Sequence, residues 1–86
     1  MILIEYAPSF LNQLKKLPPE LQKEAIEKID LFKDRSKHRR LEVHKLKGKM
    51  VGKSSFSVNY SYRIVFKWLP DGAAGLLAIG DHAVYK

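Results

Sequence analysis

The stretch SFSVNYSYRIVFKW, residues 55–68, decides how this chain is read. Phe56, Val58 and Tyr60 alternate with Ser55, Ser57 and Asn59, a period of two that puts apolar side chains on one face of a strand. Asn59, Tyr60 and Ser61 have the composition of a turn. Tyr62, Ile64, Phe66 and Trp68 then alternate with Arg63, Val65 and Lys67 in a returning strand. Further on, Pro70-Asp71-Gly72 is a second turn signal, residues 75–79 are a short apolar strand, and Gly80-Asp81 ends it before the tail of residues 82–86. A meander with one apolar face needs a cover. By the same alternation Ser57, Arg63 and Lys67 fall on the other face, where Arg63 rises from a rigid strand and suits phosphate better than a loop arginine does.

The cover is upstream. Residues 2–6 are β-branched and apolar and read as a first strand, stopped by Pro8 and Ser9. Ser9 fits the N-cap of a short helix with Phe10, Leu14 and Leu17 on one face. Pro18 ends that helix, and Pro19 suits the first position of a second. There Leu21, Ala25, Ile29 and Phe32, with Ile26 beside them, form an apolar stripe. Glu20, Lys23, Glu24, Glu27 and Lys28 fill the opposite side, with Glu24 and Lys28 spaced for an ion pair. The predicted fold class is therefore α+β in the order β-α-α-β-β-β, a helical hairpin on a small twisted, mainly antiparallel sheet.

With 86 residues the chain is read as a single domain over residues 1–86. No cysteine is present, which excludes disulfides, thiolate metal sites and cysteine nucleophiles. No apolar run approaches the ~18 residues that span a bilayer, and the N-terminal MILIEYAP does not read as a signal peptide, so a cytoplasmic protein without a membrane partner is expected. The net charge of +7 is local. Residues 33–53 hold nine Lys or Arg against Asp34 and Glu42, while the rest of the chain is balanced. Such a patch attracts a polyanion over about 8 Å at physiological salt, or simply keeps a loop solvated. His38, Arg39 and Arg40 follow the second helix and read as contacts to the ribosome or an RNA backbone rather than as catalytic groups.

Several short motifs occur in order: His44-Lys45-Leu46-Lys47-Gly48, Ser55-Phe56-Ser57-Val58, Tyr62-Arg63-Ile64-Val65-Phe66, and Ile79-Gly80-Asp81-His82 with Tyr85 near the end. Together with the opening Phe10, Leu14, Lys16, Leu17 and Pro18, they resemble the RelE/ParE superfamily of toxins from toxin–antitoxin pairs. The resemblance implies a RelE-like, microbial-RNase-like fold. It also implies one of two activities: ribosome-dependent cleavage of messenger RNA in the RelE, YoeB and YafQ branch, or inhibition of DNA gyrase in the ParE branch. The histidines place this chain with the cleaving branch. His44 matches the position four residues before the loop glycine, Arg63 the phosphate-contacting strand arginine, His82 the late histidine and Tyr85 the C-terminal aromatic. An inactive homologue that still binds its antitoxin is a further reading.

RNA cleavage without a metal uses the 2′-hydroxyl to attack the adjacent phosphorus. It requires a base, cations for the growing charge on the phosphoryl oxygens, and an acid for the leaving 5′-oxygen. Histidine suits either proton role near neutrality. In this assignment His44 is the base, His82 the acid and Arg63 with Lys47 the phosphate clamp. Lys45, Lys49, Lys53, Arg39 and Arg40 guide the RNA backbone, and Tyr85 stacks on or orients a base. No cofactor and no metal are expected, since the histidines show no ligand spacing. The implied partners are a small acidic antitoxin, the ribosome and its message, with operator DNA bound only through the antitoxin. Taken singly, Arg63 equally fits a surface ion pair and His82 a turn held by Asp81.

Overall fold

A computed structural model describes residues 1–81 and Val84. A five-stranded sheet, ordered β1-β5-β4-β3-β2, is covered on one face by two helices. The strands are β1 (Ile4–Tyr6), β2 (His44–Lys45), β3 (Ser54–Ser57), β4 (Arg63–Trp68) and β5 (Ala74–Gly80); the helices are α1 (Pro8–Lys15) and α2 (Pro19–Phe32). The α+β class and the helical hairpin are as the sequence predicts. One strand was not foreseen: β2, two residues long, lies antiparallel to β3, with His44 opposite Ser55 and Lys45 opposite Ser54. Two residues are too few to show a period. β1 runs parallel to β5 at the opposite edge, and the other pairings are antiparallel.

The core forms where the two apolar periodicities meet. Ala25, Ile29 and Phe32 of α2 and Phe10 of α1 are buried against Phe56, Ile64, Phe66, Leu76 and Ile79. Phe32 is stacked on Phe56 with ring centroids 4.4 Å apart and meets Phe66 edge-on at 4.8 Å. Ile26 does not share this core; it is 57% exposed, because it lies on the far side of Ile29 from Ala25 and Phe32, roughly 100° or more round α2 from both. Ser9 is not the helix cap. Ala7 occupies that position with Pro8 first in the helix, and the Ser9 hydroxyl donates instead to the Leu77 carbonyl at 2.8 Å, which ties α1 to β5.

The ion pair expected between Glu24 and Lys28 is replaced by two longer-range bonds. Lys28 Nζ donates to the Val58 carbonyl at 3.0 Å, and the Glu24 carboxylate accepts from Asn59 Nδ2 at 2.7 Å. Both brace the β3–β4 turn against α2. His38 likewise turns inward. Its ring stacks on Phe32 at 4.6 Å and its Nε2–H donates to the Phe32 carbonyl at 2.7 Å, which fastens the basic segment to the core.

Candidate functional site

Paired residues in a sheet project to the same face, and so do residues two apart on one strand. His44 opposes Ser55, Ser57 opposes Arg63, and Val65 opposes both Ser55 and Ala78. His44, Ser57 and Arg63 therefore share the face turned away from the helices. Their neighbours Ser55 and Val65 are buried, so this face is open chiefly toward the β2 edge and the β3–β4 end of the sheet. Two strand spacings and a two-residue offset put the Cα atoms of His44 and Arg63 roughly 12 Å apart. Side chains of their lengths reach toward a single linkage across that gap.

Glu42 organises this corner, although in the sequence it is only one of two acids within the basic run. Its backbone has φ +56°, the only left-handed residue other than glycine among the described residues. Edge residues rarely adopt that conformation without something to hold it. Here Ser57 N–H donates to the Leu41 carbonyl at 2.8 Å and Ser57 Oγ donates to Glu42 Oε1 at 2.9 Å. Two residues of the edge segment thus serve one residue of β3, as at a bulge, which re-aims side chains at a sheet margin. Arg63 Nη1 lies 3.5 Å from the same Glu42 oxygen, and the arginine side chain is only 20% exposed. The ion pair is long and, on the glutamate side, wet, which makes it easy to displace.

The Glu42 carbonyl fixes the imidazole beside it. His44 Nδ1 is 2.8 Å from that oxygen, and a carbonyl can only accept, so Nδ1 carries the hydrogen. In the neutral ring Nε2 then holds the lone pair, on an exposed side chain. Only an alternation that brings Glu42, His44, Ser57 and Arg63 together reveals this arrangement; the signal available in sequence was an acid two residues before a histidine.

The basic residues disperse. Lys45 projects to the opposite face from His44, as its pairing with Ser54 requires. Lys47 and Lys49 are exposed around a tight turn at Gly48–Met50, where Gly48 has φ +65°, and Lys53 is half-buried at the foot of β3. Arg39 is exposed. Arg40 lines a hollow of about 460 Å³ with Lys28, Glu42, Ser57, Tyr60 and Arg63. Tyr62 packs against the core, and Trp68 is covered by Arg35 at 5.0 Å. Gly80, the last residue of β5, sits opposite Arg63. His82 and Tyr85 lie outside the described residues. Among the described residues no cluster of three or more His, Cys, Asp or Glu could hold a metal ion, and no helix is long and apolar enough to cross a membrane.

No protein-family model matches the sequence, and no curated protein is significantly similar to it. Solved structures are. The toxin–antitoxin complex RelBE2 of Mycobacterium tuberculosis contains a chain that superposes with a TM-score of 0.75 at 19% identity, over 94% of this chain and 98% of that one. The fold is that of the RelE-type toxins. A chain of the DinJ–YafQ toxin–antitoxin complex of E. coli matches with a TM-score of 0.73 at 18% identity, covering 96% and 94% of the two chains. A YoeB/ParE toxin of Agrobacterium tumefaciens gives 0.67 at 16% identity, over 94% and 99%. The shared RelE-type fold thus spans nearly the whole length of each chain.

Proposed function

We propose that this protein is the toxin of a toxin–antitoxin pair and that it cleaves messenger RNA on the ribosome. One observation carries the catalytic part: the Glu42 carbonyl holds Nδ1–H of His44, leaving Nε2 as a proton acceptor on the same face as Arg63. In this reading the 2′-hydroxyl gives its proton to His44 Nε2 and its oxygen attacks the adjacent phosphorus. The 5′-oxygen leaves with a proton from His82, and a 2′,3′-cyclic phosphate remains. Arg63, drawn from Glu42 as charge grows on the phosphoryl oxygens, stabilises the equatorial oxygens together with Lys47, and Tyr85 orients a base.

The antitoxin is proposed from two further features. The neighbouring structures include toxin–antitoxin complexes, and the +7 balance speeds association with an acidic partner and selects for it. An apolar hollow of about 510 Å³ between Tyr6, Leu11, Leu14, Ile26 and Ile29, away from the Arg63 face, would receive apolar side chains of such a chain.

The test is translation in vitro with the purified protein, mapping message ends by primer extension. Codon-phased cuts that vanish in Arg63→Ala are expected. Intact message with relaxed DNA accumulating in a gyrase assay would instead assign the chain to the gyrase-inhibiting branch.

A further inference from the structure

The β3–β4 turn, residues 58–62, is braced more heavily than a hairpin of its length requires. Asn59 Oδ1 accepts from the N–H groups of Ser61 and Tyr62 at 2.9 and 2.8 Å, its Nδ2 donates to Glu24, and Lys28 donates to the Val58 carbonyl. Two side chains of α2 thus hold the turn rigid. At its tip Tyr60 is 96% exposed and contributes no packing to the core. A rigid turn that offers a bare aromatic ring is a platform, and the surroundings indicate for what. Tyr60 lines the same hollow as Arg40, Lys28 and Arg63, and Lys28 has two ammonium hydrogens left after its bond to Val58. Arg63 is three steps along the chain from Tyr60, so their Cα atoms are no more than about 11 Å apart, within the reach of one nucleotide.

We infer that this hollow is a nucleotide subsite of single-stranded RNA, in which the base next to the phosphate held by Arg63 stacks on Tyr60 while Arg40 takes the following phosphate. The inference rests on the RNA-cleaving reading above and adds a residue to it. Stacking on an exposed ring is insensitive to base identity, since every base has a π-face, and the flanking cations track the backbone. An acidic peptide fits less well: it would pair with the same cations but brings no base to stack on the bare Tyr60 ring.

The probe is a fully 2′-O-methylated single-stranded RNA hexamer, which cannot be cleaved, read by fluorescence anisotropy at low salt. A second set carries one abasic position at each site in turn. Tyr60→Ala should weaken the intact hexamer between about 5- and 100-fold. Tyr60→Phe should bind as the parent does, and Tyr60→Leu as the alanine variant does. One abasic position should weaken the parent by a similar factor and leave Tyr60→Ala unaffected, because ring and base are then the two halves of one contact. Being fully exposed, Tyr60 can be changed without disturbing the fold. Equal affinity of Tyr60→Ala and parent, or equal losses with and without the base, overturns the subsite while binding through Arg63 stands. Loss of binding to an acidic peptide alone overturns it in favour of a protein partner. A hexamer that the parent does not bind, or that Arg63→Ala binds equally well, overturns the subsite, while the cleavage reading is decided separately by the primer-extension assay on translating ribosomes.

Discussion

At the scale of single residues, opposite signs separate the roles of Glu42, His44 and Arg63. Glu42 competes with phosphate for Arg63, so Glu42→Gln, which keeps the Ser57 hydrogen bond and loses the charge, should tighten RNA binding. The gain should reach about 5-fold, the equivalent of an exposed ion pair worth up to ~1 kcal/mol. Arg63→Ala should weaken binding and slow cleavage by about 10²–10³-fold, the scale for removing one donor to a developing oxyanion. His44→Ala should slow cleavage by about 10²–10⁴-fold with RNA affinity unchanged, because a proton acceptor contributes to the transition state and not to the bound ground state. Anisotropy with an uncleavable RNA and single-turnover cleavage measure the two quantities separately. A loss of affinity in Glu42→Gln would show that the carboxylate supports the site and does not compete for it.

At the scale of elements, two short segments carry testable bonds. Asn59→Ala leaves two turn N–H groups and Glu24 without their partner and should destabilise the protein by about 1–2 kcal/mol in urea unfolding. If the turn orders the Tyr60 ring, the same change should also weaken RNA binding. The second segment is the 3-10 turn at Arg35–Lys37, capped by Asp34, whose carboxylate accepts from the Ser36 hydroxyl at 2.8 Å and from its N–H at 2.9 Å. These bonds favour the ionised carboxylate and hold its pKa below the ordinary aspartate value. A carboxyl whose pKa is lower folded than unfolded adds stability above the unfolded value and loses it as pH falls through the folded one. The capped turn should thus loosen only as pH drops below about 4, the ordinary aspartate pKa. The Asp34 carboxyl resonance should titrate below that of a free aspartate, and Asp34→Asn should abolish the response.

For the whole molecule, Phe32 joins what the rest of the chain keeps apart. Its ring contacts His38 of the basic segment and both Phe56 and Phe66 of the sheet. Phe32→Ala should remove about 3–5 kcal/mol, much of the stability of a domain this size, and release the basic segment from the core. Thermal unfolding and hydrogen exchange at residues 35–41 measure both effects. Charge acts on the same scale. Each cation that contacts a phosphate of a single strand should contribute about 0.7 to the slope of log affinity against log salt, so Arg40→Ala and Arg63→Ala should each flatten that slope by about this amount.

The helical hairpin, the meander and the outward position of Arg63 were legible in the sequence, because periods of 3.6 and 2 over long apolar runs leave one solution for what faces the core. Contacts between residues far apart in the chain are not legible in the same way. Ile26 falls outside the core by its angle on α2, His38 reaches back to Phe32, and Glu24 and Lys28 leave one another for the β3–β4 turn. The candidate site divides along the same line. Composition placed the cations in residues 33–53 and alternation chose the face of Arg63. Only the tertiary structure brought Glu42 to Arg63, Ser57 and His44, since that meeting requires a left-handed residue just before a two-residue edge strand. Periodicity is a local property and survives in the linear chain. A hydrogen bond between residues 15 or 21 positions apart is set by strand register, which the packed core alone decides.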